Sequence, residues 1–184
     1  MRSLAFALAL FTAPAFATSP SPLPFDVGGP FELIDQTGET RTDKSFHGKP
    51  ALLFFGYAEC QAICTVALPH MAEAVDLLVE AGTDIQPILI TVDPDRDTPE
   101  NLVKSAPKVH ERLIALTGND EALAEARKSY RVESKLIGED IDGPIYAHGS
   151  FIYLLDEEGE VKSLLPPILA PERIAEIATG YLKK

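Results

Sequence analysis

Cys60 and Cys64 are the residues with the clearest capacity for chemistry, since they are the only two cysteines among 184 residues. They are four positions apart. In a helix that turns about 100° per residue, this spacing places the two thiols about 40° apart, on one side of a helix start. Two such thiols can bind one soft metal ion or oxidise each other to a disulfide. The pair therefore predicts a metal site or a redox site.

The elements beside the cysteines indicate how the thiols are positioned. An apolar run at 51–55 reads as a buried strand and directly precedes them. After the cysteines, apolar residues recur at helical spacing until Gly82, which predicts a helix with one buried stripe and Cys64 at its beginning. The residues of this stripe are Ala67, Met71, Ala74, Val75 and Leu78.

The rest of the sequence alternates strand and helix patterns before it changes character. The segment at 85–92 predicts a buried parallel strand, and Pro87 within it favours entry through an edge position. Thr98 and Pro99 predict an N-cap and a first helical residue. This order favours an α/β sandwich with a mixed central sheet. The other predicted elements are strands at 31–34 and 113–116, helices at 99–109, 119–130 and 171–182, and a hairpin of 151–155 with 161–165.

The N-terminus predicts export. Arg2 is followed by an apolar run at 4–11 and by Ala15-Phe16-Ala17, the small-x-small pattern of a secretory cleavage site. We expect residues 1–17 to be a signal peptide cleaved after Ala17, or a membrane anchor if they are retained. Residues 18–30 predict a flexible tether, and residues 31–184 one domain in the periplasm.

Charge restricts the classes of partner. The chain has 16 basic and 28 acidic residues, a net charge of −12, and 46% hydrophobic residues. This composition is typical of a globular protein and argues against binding to nucleic acid or to anionic membranes. Membrane attachment is expected only through an uncleaved N-terminus.

Four sequence blocks stand out along the chain. They are Gly56-Tyr57 with Cys60-x-x-Ile63-Cys64, the run from Val92 to Glu100, Leu116-Thr117-Gly118, and Tyr146-Ala147-His148. In this order they resemble the Sco/SenC family of copper-binding thioredoxin-like proteins, and the resemblance extends from about residue 31 to 182. It implies a thioredoxin-like fold, copper as Cu(I) or Cu(II) bound by Cys60, Cys64 and His148, and assistance in assembling the copper site of respiratory cytochrome oxidase. The implied partners are a copper-accepting oxidase subunit and a copper donor chaperone.

The residue types suit this chemistry, with three departures from the family pattern. Two thiolates favour Cu(I), and an added imidazole suits Cu(II). Gln61 and Thr65 stand where the family commonly has proline after each cysteine, and Ala147 stands where an acidic residue often precedes the histidine. The loss of that carboxylate removes a candidate hydrogen-bond partner for His148.

Other functions remain open on the residues alone. A thiol:disulfide oxidoreductase would use Cys60 as the nucleophile, because Cys60 is nearer the predicted helix start. A purely structural disulfide is the third reading, although so short a loop gains little stability from closure.

The remaining polar residues receive plainer interpretations. Asp93 is a candidate neighbour of the metal loop, Arg96 is expected to pair with carboxylates, and Glu59 is an optional oxygen ligand. The histidines at positions 47, 70 and 110 are expected to have surface or packing roles.

Overall fold

The computed structural model describes residues 23–58, 63–141, 143–149 and 151–182. Within them the chain forms strands, four α-helices and a short 3-10 helix at Asp43–Phe46. The helices are α1 (Cys64–Glu80), α2 (Pro99–Val109), α3 (Asp120–Ser129) and α4 (Pro171–Leu182). The strands are β1 (Glu32–Asp35), β2 (Thr40–Thr42), β3 (Ala51–Gly56), β4 (Gln86–Thr91), β5 (Ile114–Thr117), β6 (Ser134–Asp140), β7 (Gly143–His148), β8 (Ile152–Leu155) and β9 (Val161–Leu165).

A mixed seven-stranded sheet in the order β2-β1-β5-β4-β3-β8-β9 forms the centre of the fold. Strands β3, β4 and β5 are parallel, while β1 and β8 pair antiparallel to their neighbours in it. Helices α1 and α4 pack against each other, and α1 also contacts β3 and β4. The predicted α/β sandwich with a mixed central sheet is therefore confirmed.

Strand β3 and helix α1 form the unit that carries the site. All six residues of β3 are buried, because the strand lies in the middle of the sheet with apolar side chains on both faces. The stripe predicted for α1 is buried throughout. The helix ends at Glu80, and Gly82 follows with a φ of +88°, a backbone conformation that favours glycine.

Strand β4 corrects one expectation, because it is a central strand with β3 on one side and β5 on the other. Pro87 therefore marks no edge. It is the second residue of β4, and pairing with β5 begins at the next residue, Ile88. A proline at the start of a ladder is tolerated because few of the strand's hydrogen bonds lie there.

Strands β6 and β7 were not predicted from the sequence. They form a separate two-stranded antiparallel sheet that joins α3 to β8. All but the first residue of β6 are exposed, so no alternation of apolar and polar residues marks this strand. The short strand β2 was also missed.

Part of the predicted tether lies within the described residues. The N–H of Gly28 donates to the carbonyl of Ser129 at 3.0 Å, and the guanidinium of Arg131 lies 5.2 Å from the ring centroid of Phe25. The predicted signal peptide lies outside the described residues. In the part of the chain that is described, no helix is long and apolar enough to cross a membrane.

Candidate metal centre

Cys64 is held firmly at the beginning of α1. It is the first residue of the helix, and only 3% of its surface is exposed. Its Sγ packs over the end of β3, where a Cβ built on Gly56 would lie 3.0 Å from the sulfur. Glycine at this position therefore leaves the space that the thiol occupies.

The side chain of His148 lies next to the sulfur of Cys64. It is the last residue of β7, and its Nε2 lies 3.8 Å from Sγ of Cys64. Its Nδ1 is 2.9 Å from the carbonyl oxygen of Gly149. Because a carbonyl can only accept, Nδ1 donates a proton to this contact, and Nε2 is the ring nitrogen that faces the sulfur. The structure thus brings together Cys64 and His148, which are 84 positions apart.

The remaining candidates near the first cysteine are not described. Cys60, Glu59 and Gln61 lie outside the described residues, so the prediction that both sulfurs share a helical face stays a prediction. Thr65 is the second residue of α1. Within the described ranges, no group of three histidine, cysteine or acidic residues is arranged to hold a metal ion.

Aromatic rings enclose the imidazole of His148. Phe54 of β3 meets it edge to face with 6.2 Å between ring centroids, and Tyr57 does so at 6.1 Å. Tyr57 also contacts Tyr146, which precedes His148 by two residues on β7. These rings limit the orientations that the imidazole can adopt. Sequence reasoning quoted Tyr57 and Tyr146 only as motif residues and gave neither this role.

Arg96 also contacts the ring of Tyr57. Its guanidinium carbon is 5.1 Å from the ring centroid of Tyr57, and its Nε donates to the carboxylate of Asp93. One further N–H group donates to the carbonyl of Pro144, at 2.6 Å. The predicted pairing of Arg96 with a carboxylate is confirmed. Asp93 is linked to the neighbourhood of His148 through Arg96 and Tyr57.

Asp97 secures the segment that leads into the cysteine loop. Its carboxylate accepts hydrogen bonds from the N–H of Ala58, at 3.1 and 3.3 Å, and from the hydroxyl of Thr91, at 2.7 Å. Burial raises the pKa of Asp97 to about 6, and the repulsion of Asp93 adds to this, while the hydrogen bonds and Arg96 lower it. Nothing in the sequence pattern indicated this role for Asp97.

Ala147 lies on the opposite face of β7 from His148, because successive side chains of a strand alternate. Its partner across the hairpin is Lys135 of β6. An acidic residue at position 147 would therefore stand opposite Lys135 and away from the imidazole. This geometry contradicts the idea that a carboxylate at position 147 would be a direct partner of His148.

The other histidines have local contacts away from this centre. Nδ1 of His70 is 2.8 Å from the carbonyl oxygen of Leu169. Nε2 of His110 lies 3.1 Å from a carboxylate oxygen of Asp76. His47 is exposed beside Gly159. These contacts agree with the surface and packing roles that were expected.

The separation of Sγ and Nε2 suits one bridging metal ion. Bonds of about 2.3 Å to thiolate sulfur and about 2.0 Å to imidazole nitrogen would meet at an angle of about 120° across this gap. Such an angle leaves room for a third ligand in the same plane. The 3.8 Å separation is therefore compatible with one ion bound by both Cys64 and His148.

The sequence model described as SCO1/SenC matches residues 20–183 of this chain. The chain belongs to the SCO1/SenC family. A SCO2-like protein of Rickettsia prowazekii is 38% identical over 135 residues, covering 72% of this chain and 66% of that protein.

Solved SCO1/SenC structures share the fold. Copper-bound ScoI of Arabidopsis thaliana has a TM-score of 0.80 at 31% identity, covering 84% of this chain and 97% of that one. Copper-bound ScoI of Bradyrhizobium japonicum has a TM-score of 0.76 at 35% identity, covering 85% and 99%. The predicted family and its thioredoxin-like fold are thus confirmed.

Proposed function

We propose that this SCO1/SenC protein is an exported copper chaperone that binds one copper ion through Cys60, Cys64 and His148. It delivers the ion to the copper site of a respiratory oxidase subunit or to a similar acceptor. Copper is the cargo of this protein, and a copper donor chaperone is its expected source. Two family members with the same fold have copper bound, which supports copper as the ion.

The observation that carries the proposal is the 3.8 Å separation between Sγ of Cys64 and Nε2 of His148. A soft sulfur and a borderline nitrogen at this separation match the ligand preferences of copper in both oxidation states. The Gly149 carbonyl fixes the tautomer in which Nε2 can bind a metal. Cys60 would complete the ligand set from the loop.

The three proposed ligands contribute differently to the binding of Cu(I) and Cu(II). Two thiolates are sufficient for Cu(I), whereas Cu(II) gains more from the imidazole of His148. The N-terminal end of α1 favours the thiolate form of Cys64, because the positive end of the helix dipole stabilises negative charge. Copper binding then releases the thiol protons to solvent.

Export is part of the proposal and is supported by the sequence of residues 1–17. An oxidising compartment favours oxidation of thiols that hold no copper, so copper loading requires that Cys60 and Cys64 be reduced first. The acidic surface, with a net charge of −12, favours protein partners over nucleic acid or anionic lipid.

A second function is favoured by the position of the Cys64 thiol at a helix N-terminus and beside an imidazole nitrogen. In a thiol:disulfide exchange, the thiolate of Cys60 would attack a disulfide of the acceptor and release one acceptor thiolate. Cys64 would then displace the second one. The acceptor gains two electrons and two protons, and Cys60 and Cys64 become a disulfide.

An anaerobic titration of the reduced protein, lacking residues 1–17, with Cu(I) and Cu(II) tests the proposal. We expect one equivalent per chain, thiolate-to-copper charge-transfer absorption with Cu(II), and loss of both in the Cys60→Ser/Cys64→Ser variant. His148→Ala should weaken Cu(II) binding more than Cu(I) binding, whereas the matched variant His47→Ala should change neither.

Failure of the wild-type protein to bind one equivalent of either ion would refute the chaperone proposal. Turnover of a model disulfide, abolished in Cys60→Ser, would then support the exchange reaction. Equal affinities for wild type and His148→Ala would remove the third ligand from the site.

A further inference from the structure

We infer that Arg96 is the positioning residue of His148, and that it sets the distance between the imidazole and Cys64 by holding the hairpin of β6 and β7 against Tyr57. The inference rests on the proposed function, because it explains how the third copper ligand is kept in place. It adds a residue that touches neither copper nor the two described ligand atoms.

The hairpin needs such an anchor, since neither of its strands pairs with the central sheet. Cys64 lies in a buried helix, but β6 is exposed along almost its whole length and contributes little to the core. The position of His148 therefore depends on how β7 is held on the body of the protein. A two-stranded hairpin by itself is only marginally stable in water.

Strand β7 meets the body along one face. Successive side chains of a strand point to opposite faces. The face of β7 that is turned toward Tyr57 therefore carries the side chains of Pro144, Tyr146 and His148. Tyr57 contacts the rings of both Tyr146 and His148. It follows β3 directly and is buried, so it provides a fixed surface for the hairpin.

Arg96 holds this face of β7 at its Pro144 end. It donates a hydrogen bond to the carbonyl of Pro144 at 2.6 Å while its guanidinium lies over the ring of Tyr57. A planar guanidinium can stack on an aromatic face and still donate from its edge, which a lysine ammonium cannot do. Arg96 therefore joins the strand that carries His148 to the aromatic residue that contacts the imidazole.

Arg96 is itself held by a buried charge. The side chain of Asp93 is fully buried, and it pairs with Nε of Arg96. An ionised carboxylate in the interior needs a cation close to it, so the guanidinium is confined to this position. The oxygen Oδ1 of Asp93 has no hydrogen-bond partner among the described residues, which increases the dependence of Asp93 on Arg96.

Gly143 makes room for the guanidinium. A Cβ at this position would lie 3.1 Å from a terminal nitrogen of Arg96, and the φ of Gly143 is +113°, where other residues are strained. The hairpin thus begins β7 with a residue that permits close approach of Arg96. This feature supports a specific contact rather than a chance one.

The inference predicts a selective effect on copper. Without Arg96, β7 gains freedom at Pro144, and Nε2 of His148 no longer has a fixed separation from Sγ of Cys64. Changes to residues that orient a metal ligand typically lower affinity by about tenfold to a hundredfold. The loss should fall on Cu(II), which depends on the imidazole, while two thiolates continue to bind Cu(I).

Three variants test the role of Arg96. Arg96→Met removes the charge and both hydrogen bonds at similar length. Asp93→Asn/Arg96→Met removes the ion pair as a unit and avoids an unpaired buried carboxylate, should the single variant fail to fold. Gly143→Ala leaves both partners present, crowds their approach and strains the backbone at the beginning of β7. Arg173→Met, which removes an exposed ion pair on α4, is the matched control.

Two measurements decide the outcome. In the copper-free protein, hydrogen exchange of the backbone amides of residues 143 and 145–148 should accelerate at least about tenfold in the Arg96 and Gly143 variants and stay unchanged in Arg173→Met. In competition titrations, Cu(II) affinity should fall by about tenfold or more and Cu(I) affinity by less than about threefold. The Arg96 substitution should cause no further loss of Cu(II) affinity in a His148→Ala background.

Any of three results would overturn the inference while leaving the copper site intact. These are equal losses of Cu(I) and Cu(II) affinity, a loss of Cu(II) affinity that persists in the His148→Ala background, and unchanged hydrogen exchange of the hairpin amides. If the wild-type protein bound no copper, the proposed function would fail instead. Hydrogen exchange in the copper-free protein would then still decide whether Arg96 holds the hairpin.

Discussion

Replacement of Asp97 by asparagine should destabilise the protein at pH 4 and stabilise it at pH 7. Asp97 is 2% exposed, and burial raises its pKa from 3.8 to about 6. The folded protein therefore binds the proton more tightly than the unfolded chain does. The corresponding stability is fully present below pH 3.8 and is lost as the pH rises through about 6.

The magnitude follows from the two pKa values. Each pH unit between them corresponds to about 1.4 kcal/mol. Because the unfolded carboxyl is already more than half ionised at pH 4, the free energy of unfolding should fall by about 2.5 kcal/mol between pH 4 and pH 7 through this group. Asparagine does not titrate. It can still accept a hydrogen bond from the N–H of Ala58 or from the hydroxyl of Thr91, and the loss of the other costs about 1 kcal/mol. The variant should be about 0.5 kcal/mol less stable at pH 4 and about 2 kcal/mol more stable at pH 7.

Urea unfolding of the reduced, copper-free protein at intervals between pH 4 and pH 7.5 measures this difference. Asp35→Asn is the matched control. Burial alone would raise the pKa of Asp35, but hydrogen bonds from Thr37, Arg41 and Glu39 outweigh it and lower the pKa to about 2. The stability from Asp35 is present above pH 3.8 and is lost as the pH falls through 2, so its replacement should cause a constant loss over the measured range. A constant difference between wild type and Asp97→Asn would refute the reasoning.

Two further substitutions test the surroundings of the metal site. Gly56→Ala would place a Cβ 2.7 Å from the ring of Phe54 and 3.0 Å from Sγ of Cys64, so we expect a loss of about 1 to 3 kcal/mol and weaker binding of both copper ions, measured by urea unfolding and competition titration. Gly180→Ala, which meets open space on α4, should instead stabilise by about 0.5 to 1 kcal/mol. Ala147→Asp should change Cu(II) affinity by less than about threefold, because the new carboxylate faces away from His148; a tenfold gain would contradict this placement.

The sequence predicted the parts of the fold that are governed by local hydrophobic patterns. Helix α1 was predicted from the spacing of buried residues such as Met71 and Val75, and β3 from a continuous apolar run. Pro87 was misread because a local pattern does not tell which strands are neighbours. The hairpin of β6 and β7 was missed because an exposed ribbon carries no buried stripe.

The candidate site could be predicted only in part. Cys64 was evident from its residue type and spacing, but His148 was chosen through the resemblance to a family and not through any local signal. Tyr57, Arg96 and Asp97 were not given a role at the site, because each acts through a contact that joins distant parts of the chain. The Arg96 contact with Pro144 spans 48 positions, and no periodicity connects such residues.

The two residues that we propose as copper ligands, Cys64 and His148, differ in how firmly the fold holds them, and under the proposed function this difference bears on copper transfer. Cys64 belongs to the core, so it cannot withdraw without disturbing α1 and the end of β3. His148 is on a hairpin outside the central sheet, where its ring contacts Tyr57 and Phe54 and its strand is held by Arg96 at Pro144. Local opening of such a ribbon costs much less free energy than global unfolding. Under the proposed function we therefore expect an acceptor to displace the imidazole first, which would leave copper on thiolate sulfur while the acceptor's own ligands bind it.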